Sequence, residues 1–472
     1  MKIKHHEIEI PQENPFANCK LAREPYASIL TDIVNTYSDG FVLAINNEWG
    51  AGKTTFVKMW QQQLKNEGFQ TIYFNAWEND FDNNPLVALV SELQTLTNEK
   101  NKEVFKSVVE KGAVLVKNIA PALVKSLIKK YVADIDDIAI NSIEDATKAS
   151  TEILEEELKE YASKKKTIIE FRKELEKFVK QADNSKPLIF IVDELDRCRP
   201  NYSVEVLEQI KHFFSVSGIV FVLSIDKNHL ASAVKGFYGS EQIDSNEYLR
   251  RFIDLEYSIP KPSTEDFTKY LFEYYSFDSF FYSEERLRIG FFPYDSDKFL
   301  SMANFLFTNL NATLRQQERI FALTRLVLCS FKSNQLTFSD LLFILVYLKI
   351  MRNDDFQKIE RNDFSLQELS DLFFDITFSK KNESNGISFL YIESLLLWFY
   401  NNDRDYSKKI NLIKEDDAGN LSVPIKSKLE NETQSTNLIQ CLSNINNHWD
   451  HNNIKLNYLI RKINLTESVT IQ

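Results

Sequence analysis

The chain has 472 residues, of which 43% are hydrophobic and 26% are charged, a balance typical of a globular protein with two or three structural units. Its formal net charge of −12 does not favour nucleic-acid binding over the whole surface. The four cysteines form no CxxC pair, which argues against a zinc ribbon or a disulfide framework. The N-terminal residues lack the apolar stretch of a signal peptide, so we expect a cytoplasmic protein.

A helix is expected over residues 23–37, and five short segments are typical of strands: the first four are apolar runs, and the fifth alternates between polar and apolar residues. The segments are residues 41–45, 71–75, 188–192, 219–223 and 254–259. Because stretches of helical periodicity separate most of these segments, the pattern predicts an α/β fold with a parallel sheet and helices on both faces.

Two further regions are predicted to be helical. Residues 77–186 form an insertion between the second and third strands, and Lys117, Pro121 and Lys125 interrupt its most apolar part, so we do not expect it to span a membrane. After residue 262 the chain is rich in Phe and Leu at helical spacing. Helices are expected there at residues 264–282, 296–310, 312–332, 338–351, 366–377 and 387–401.

The strongest chemical signal lies between the first strand and the helix that follows it. It comprises Asn47, Glu48, Trp49, Gly50, Ala51, Gly52, Lys53, Thr54 and Thr55. This strand–loop–helix context is the one that a phosphate-binding Walker A loop requires. Backbone N–H groups would surround the β-phosphate, Lys53 would bridge the β- and γ-phosphates, Thr54 would bind Mg²⁺ and Thr55 would lie near the α-phosphate. Asn47 stands where the GxxxxGK[ST] pattern has its first glycine, and we expect it to adopt the positive φ of that turn.

A second signal, LIFIVDELDRCRP, is an apolar strand that ends in two acids, as a Walker B element does. Asp193 is expected to hold Mg²⁺ through water, and Glu194 to polarise the attacking water. Asp196 and Arg197 either pair with each other, or Arg197 faces the nucleotide of a partner chain. At the end of the fourth strand, Ser224 and Asp226 suit a sensor of the γ-phosphate, although Asp226 is equally suited to cap the next helix.

These segments together predict a P-loop core with strand order 5-1-4-3-2, in which one strand lies between the Walker A and Walker B strands. The motifs EWGAGKTT, FNAWEND, VDELDRCRP, FVLSIDKNHLASAVKGFYG, YLRRFIDLEYSIPKP and NATLRQQERI occur in this order along the chain. The sequence thereby resembles the KAP family of P-loop NTPases over roughly residues 20–330. That resemblance implies a large insertion between the Walker motifs, which agrees with residues 77–186. It also implies a likeness in outline to AAA+ and STAND-type NTPases.

The resemblance suggests roles for three arginines and one tryptophan. Arg250 or Arg251, just before the fifth strand, would act as an arginine finger toward a neighbouring subunit, with ordinary surface charge as the alternative. Arg315 resembles a sensor arginine on a lid helix, with Arg319 as the alternative. Trp77 is expected to be buried, where it would hold the insertion against the core.

Four parts of the chain are therefore expected. They are a P-loop core (residues 1–76 and 187–262), the helical insertion (77–186), a helical lid (263–335) and a helical C-terminal domain of unknown role (336–472). The expected function is Mg²⁺-dependent ATP hydrolysis, with adenine favoured by the family and by the lack of an NKxD motif. The resemblance to the KAP family further implies that nucleotide state drives conformational or assembly changes for a protein partner, in a homo-oligomer or alone, in bacterial defence against phage. The alternative is a slow assembly module that recruits a separate effector. A nuclease within residues 330–472 is disfavoured, since no PD-(D/E)xK signature occurs there.

Overall fold

The structure of the protein is a computed structural model that describes residues 8–81, 84–116, 150–182, 186–290, 292–310, 312–378, 389–429, 436–449 and 454–464. The chain divides into two compact units. One comprises residues 7–261, and the other comprises residues 262–472 together with residues 1–6. The finer division into core, insertion, lid and C-terminal domain stays a prediction.

The first unit is built around a five-stranded sheet whose paired strands are all parallel. Its strands are β1 (Val42–Asn46), β2 (Thr71–Asn75), β3 (Leu188–Asp193), β4 (Ile219–Ile225) and β5 (Leu255–Tyr257). The order across the sheet is β2-β3-β4-β1-β5, so the predicted order 5-1-4-3-2 is confirmed. Because β4 lies between β1 and β3, the carboxyl ends of these three strands meet at one edge of the sheet.

Helices cover both faces of this sheet. Those of the first unit are α1 (Glu24–Thr36), α2 (Lys53–Asn66), α3 (Pro85–Leu93), α4 (Lys102–Val116), α5 (Ser150–Ala182), α6 (Pro200–Phe213), α7 (Lys227–Tyr238) and α8 (Ser245–Arg250). One apolar cluster joins α1 and α2 to alternate residues of the strands, such as Ile191 and Val222. The other joins the remaining helices to the opposite face, through residues such as Phe190 and Phe221. Strands β3 and β4 are buried along their whole length, which explains why their segments are continuous apolar runs, whereas the edge strand β5 is largely exposed and its segment alternates.

The described part of the insertion is helical, as the sequence predicts. Helices α4 and α5 run antiparallel, with the rings of Phe105 and Phe178 5.5 Å apart and an ion pair of 2.6 Å between Lys111 and Glu170. Gly112 packs on Phe171, and a Cβ atom there would lie 3.4 Å from the ring, at ordinary van der Waals distance. The expectation about Lys117, Pro121 and Lys125 concerns positions outside the described residues. Among the residues that the structure does describe, no helix is long and apolar enough to cross a membrane.

The second unit consists mainly of helices around a core rich in phenylalanine. Its helices are α9 (Thr264–Tyr274), α10 (Asp278–Phe281), α11 (Glu284–Leu287), α12 (Asp295–Leu310), α13 (Leu314–Leu328), α14 (Ser339–Met351), α15 (Asn353–Glu360), α16 (Leu366–Phe378), α17 (Phe389–Asp403), α18 (Thr436–Trp449) and α19 (Asn457–Asn464). A small antiparallel hairpin pairs β6 (Lys414–Glu415) with β7 (Leu421–Ser422). The single helix predicted over residues 264–282 is wrong, because Ser276 adopts a φ of 54° and ends the first helical segment.

Candidate nucleotide-binding site

The loop between β1 and α2 has the backbone shape that a phosphate site needs. Gly50 and Gly52 adopt φ angles of 82° and 76°, in the left-handed region that favours glycine. The amide of Ala51 closes a turn on the carbonyl of Glu48 at 3.2 Å, and α2 begins at Lys53. Asn47 is not among the residues with positive φ, so the expectation for its backbone is wrong.

Asn47 has a different role, which is carried by its side chain. Its Nδ2 group donates to the carbonyl of Ile259 at 2.8 Å, and its Oδ1 atom accepts from the amide of Ile259 at 2.9 Å. This pair of bonds imitates a backbone pairing and ties the start of the loop to the segment that follows β5. Glycine has no side chain to make these bonds, which gives a physical reason for asparagine at this position.

Lys53 lies inside the loop and bonds to the loop's own backbone. Its Nζ atom donates to the carbonyl of Asn47 at 2.5 Å and to that of Glu48 at 3.2 Å. Burial lowers the pKa of Lys53, and the nearby carboxylates of Asp196, Asp226 and Asp193 act in the opposite direction. The ammonium group of Lys53 is therefore bonded to two neutral carbonyl oxygens, and a negatively charged phosphate could replace them as its partner.

Trp49 links the loop to the ends of β3 and β4. Its backbone amide donates to Asp226 Oδ2 at 3.2 Å, and its indole Nε1 donates to a carboxylate oxygen of Asp196. The indole ring is stacked on the imidazole of His229, with centroids 3.7 Å apart and planes at 5°. Asp226 also caps α7 by accepting from the amides of Asn228 and His229, so both of its side-chain oxygens are engaged. The capping role expected for Asp226 is confirmed.

Arg23 contacts the carbonyl groups of the loop. It directly precedes α1 and is 5% exposed. Its guanidinium donates from Nη2 to the carbonyl of Ala51 at 2.7 Å and from Nη1 to the carbonyl of Gly52 at 3.2 Å. Burial lowers the pKa of Arg23. Sequence reasoning missed this residue, since a single arginine before a helix has no pattern that marks it.

Asp193 ends β3 as a buried carboxylate that is 1% exposed. Its Oδ2 atom accepts from the hydroxyl of Tyr73 at 2.9 Å, and its Oδ1 atom accepts from the amide of Glu194 at 3.0 Å. Burial and the Asp193 charge raise the pKa of Tyr73, so the phenol stays protonated and donates. Tyr73, on β2, is a second residue that sequence reasoning missed.

Glu194 follows Asp193 in the left-handed conformation, with φ 61° and ψ 23°. Its Oε1 atom lies 2.7 Å from Arg197 Nη1, and its Oε2 atom accepts from Asn75 Nδ2 at 3.3 Å. Burial raises the pKa of Glu194, and the charge of Arg197 opposes that shift. A pairing of Asp196 with Arg197 is therefore wrong, because Asp196 bonds to Trp49 and Arg197 pairs with Glu194.

Several side chains at this edge offer hard oxygen atoms that suit a divalent cation. Asp193 and Ser224 are register partners on neighbouring strands, and the buried Ser224 Oγ atom has no hydrogen-bond partner among the described residues. Thr54 and Thr55 are half-buried in the first turn of α2, directly after Lys53. Hydroxyl, carboxylate and water are the ligands that Mg²⁺ prefers, so this donor set fits that ion.

The two arginines predicted just before the fifth strand do not join this group. Arg250 ends α8 and Arg251 caps it, both exposed and on the amino-terminal side of β5, with Arg250 paired to Glu247 at 3.0 Å. Arg315 is exposed at the start of α13 in the second unit, and its sensor role stays a prediction. Trp77 is 54% exposed, so the expectation of a buried ring is wrong. Its amide bonds to Asn75 Oδ1 at 3.1 Å in the turn after β2, and the guanidinium carbon of Arg197 lies 5.8 Å from the centre of its ring.

Comparison with known proteins agrees with this geometry. The family model described as the KAP family P-loop domain matches residues 23–328. Uncharacterized protein MJ0182 of Methanocaldococcus jannaschii is 32% identical over 176 residues, which cover 33% of this chain and 88% of that protein. Among solved structures, that of the Aeropyrum pernix ORC2 protein (ADPNP-ADP complexes) is 14% identical and covers 90% of this chain and 93% of its own. Its TM-score of 0.33 is too low to support an inference.

Proposed function

This chain belongs to the KAP family of P-loop NTPases, and from that premise we propose that it binds ATP with Mg²⁺ and hydrolyses it. The observation that carries the proposal is the meeting of three features at one edge of the sheet. They are the loop that holds Lys53, the buried carboxylate of Asp193, and Glu194 directly after it.

In the proposed reaction, Lys53 leaves the carbonyls of Asn47 and Glu48 and pairs with the β- and γ-phosphates. The backbone N–H groups from Gly50 to Thr55 donate to the β-phosphate, helped by the positive end of α2. The ammonium and these N–H groups are in place before the reaction, and such preorganised groups stabilise the charge that develops on the transferred phosphoryl group.

Glu194 is the proposed base. Its carboxylate accepts a proton from the attacking water, and its raised pKa makes it a better proton acceptor than an ordinary glutamate. Thr54 and Asp193 would hold Mg²⁺, Asp193 through water, and the ion when bound would neutralise charge on the phosphates. Ser224 lies beside Asp193, its hydroxyl has no hydrogen-bond partner in the described part of the chain, and it is the proposed sensor of the γ-phosphate.

The experiment is a pair of lysine variants on the same helix. Lys53→Ala should abolish tight ATP binding and turnover, because the phosphate charge then has no cation inside the loop. Lys65→Ala removes an exposed lysine from the last turn of α2 and should leave both unchanged. A folded Lys53→Ala protein with wild-type binding and turnover would overturn the proposal.

One observation supports a second candidate, a slow module whose assembly depends on ATP binding. Both carboxylate oxygens of Glu194 are engaged, one by Arg197 and the other by Asn75. A base held in this way accepts a proton poorly, so ATP hydrolysis would be slow until the carboxylate is released. Steady-state turnover, measured beside size-exclusion profiles with ATP and with ADP, separates the two candidates. Turnover without a change in size supports the ATPase, whereas a change in size that needs ATP and no measurable turnover supports the module.

The wider proposal is that nucleotide state serves a partner in defence against phage, in the cytoplasm. The family resemblance supports the partner and the defence role, and a sequence with four cysteines and no CxxC pair suits a reducing compartment. The test is phage challenge of cells that carry the gene and its neighbours, with wild-type or Lys53→Ala protein. Protection that is lost with Lys53→Ala is the expected result, and equal plating of phage on both strains would contradict the proposal.

A further inference from the structure

Arg23 is a buried cation beside the phosphate loop. It is 5% exposed, and the described residues give its guanidinium no carboxylate partner, while its Nε atom has no hydrogen-bond partner at all. A buried charge is costly unless it is paired. The contacts that hold Arg23 are the two carbonyl oxygens of Ala51 and Gly52, which belong to the loop itself.

These two contacts orient the peptide groups of the loop. In a trans peptide unit the C=O and the following N–H point in opposite directions. A carbonyl of Ala51 that points at Arg23 therefore directs the N–H of Gly52 away from it, and the carbonyl of Gly52 does the same for the N–H of Lys53. Both N–H groups belong to the set proposed to bind the β-phosphate.

Gly52 is required for this arrangement for two reasons. Its φ of 76° is a conformation that other residues rarely adopt. In addition, a Cβ atom built on Gly52 would lie 2.9 Å from Arg23 Nη1, so a side chain here would displace the guanidinium. The loop sequence and Arg23 therefore fit each other, although they lie far apart along the chain.

We propose that Arg23 is a positioning residue for nucleotide binding, which aims the N–H groups of Gly52 and Lys53 at the β-phosphate and adds a positive charge on the opposite side of the loop. The inference rests on the proposed function. Without an anion in the loop, the charge of Arg23 is uncompensated, and a bound polyphosphate compensates it across two peptide groups. Arg23 thus makes the empty loop less stable and the occupied loop more stable.

The test compares Arg23→Gln with the wild type in two measurements. The first is the melting temperature without ligand, and the second is the affinity for ADP and for the non-hydrolysable ATP analogue AMP-PNP, by calorimetric titration. Arg172→Gln is the matched control, because Arg172 also donates to a carbonyl, that of His212 at 2.9 Å, elsewhere in the same unit. Arg23→Gln should melt at or above the wild-type temperature, because a buried unpaired charge is removed. It should lose affinity for both ligands by about tenfold or more, because the positive charge and the aim of the two N–H groups are lost. Arg172→Gln should keep wild-type affinity.

The outcomes separate this inference from the proposed function. A wild-type protein that binds neither ligand would overturn the proposed function and this role with it. Wild-type binding together with an Arg23→Gln affinity within about twofold of it, or a lower melting temperature that accounts for the loss, would overturn the role of Arg23 alone. If Arg23→Gln does not fold, Arg23→Lys replaces it. Its single ammonium should bind both ligands more weakly than the wild type, and equal affinity would overturn the role.

Discussion

Arg197 holds Glu194 through a 2.7 Å contact between a guanidinium nitrogen and a carboxylate oxygen. Asn75 donates to the other oxygen of the same carboxylate, from the end of the neighbouring strand. The proposed base is therefore engaged by two side chains. Since Arg197 is part of the DELDR segment itself, the motif that supplies the base also supplies a residue that restrains it.

The contact with Arg197 predicts a change in the pH profile of ATP turnover. Burial raises the pKa of Glu194, so turnover should fall with decreasing pH at a value above that of an ordinary glutamate, about 4.3. Below that value the carboxyl is protonated and cannot accept a proton. In Arg197→Gln the positive charge that favours the carboxylate is lost, and the acid limb should move to higher pH. A limb that stays in place or moves to lower pH would contradict the assignment of Glu194.

Glu194→Gln should keep ATP bound and slow its hydrolysis strongly. The substitution preserves the shape of the side chain and the contact with Asn75, but it removes the proton acceptor. Single-turnover hydrolysis and ATP affinity are the two measurements. Asp196→Asn is the comparison, because Asp196 bonds to Trp49. Its loss should disturb the position of the loop and should not remove the group that accepts the proton of the attacking water. If Asp196→Asn stops turnover with ATP bound while Glu194→Gln has no effect, then Asp196 is the base.

A third prediction concerns the departure from the Walker A pattern. Asn47→Gly restores the glycine of the pattern, and yet it should destabilise the protein by about 1–3 kcal/mol, because two side-chain bonds to Ile259 are lost. Denaturant unfolding measures the change. Asn228→Gly is the control at an exposed asparagine of α7 and should cost less, about 1 kcal/mol or below. Equal stability of Asn47→Gly and wild type would show that the bonds to Ile259 contribute nothing.

The fold and the loop could be predicted from the sequence because local patterns encode them. A strand buried on both faces, such as β4, has to be a continuous apolar run, and Gly50 and Gly52 mark the turn before Lys53. These features depend on neighbours along the chain, so one sequence suffices to find them.

The details of the site depend on contacts between residues that are distant in sequence. For these contacts the sequence-based predictions were wrong or made no statement. The bonds of Asn47 reach Ile259, 212 positions away, so its departure from the pattern was attributed to its own backbone. Arg23 lies 28 positions from the carbonyl of Ala51, and no local pattern points to it. Trp77 was expected to be buried where it would hold the insertion against the core, but the turn after β2 leaves its ring 54% exposed.

The last prediction tests whether Arg250 and Arg251 act on a neighbouring chain. Both are exposed on the amino-terminal side of β5, while Lys53 follows the carboxyl end of β1, so a role on the same chain's nucleotide is not favoured. An arginine finger supplied by another chain makes turnover per chain rise with protein concentration, and such a residue contributes roughly 10³–10⁵ in rate in other P-loop enzymes.

Mixing two inactive proteins is the direct measurement. Lys53→Ala chains keep both arginines but cannot bind ATP, and Arg250→Ala/Arg251→Ala chains keep an intact loop. If the finger acts between chains, the mixture should partly recover hydrolysis, since the first chain supplies the arginine and the second supplies the loop. Lys53→Ala mixed with Glu194→Gln is the control and should stay inactive, because no loop in that mixture has both its lysine and its base. No recovery in the first mixture, with wild-type turnover independent of concentration, would favour a monomeric switch in which Arg315 or Arg319 acts on its own chain.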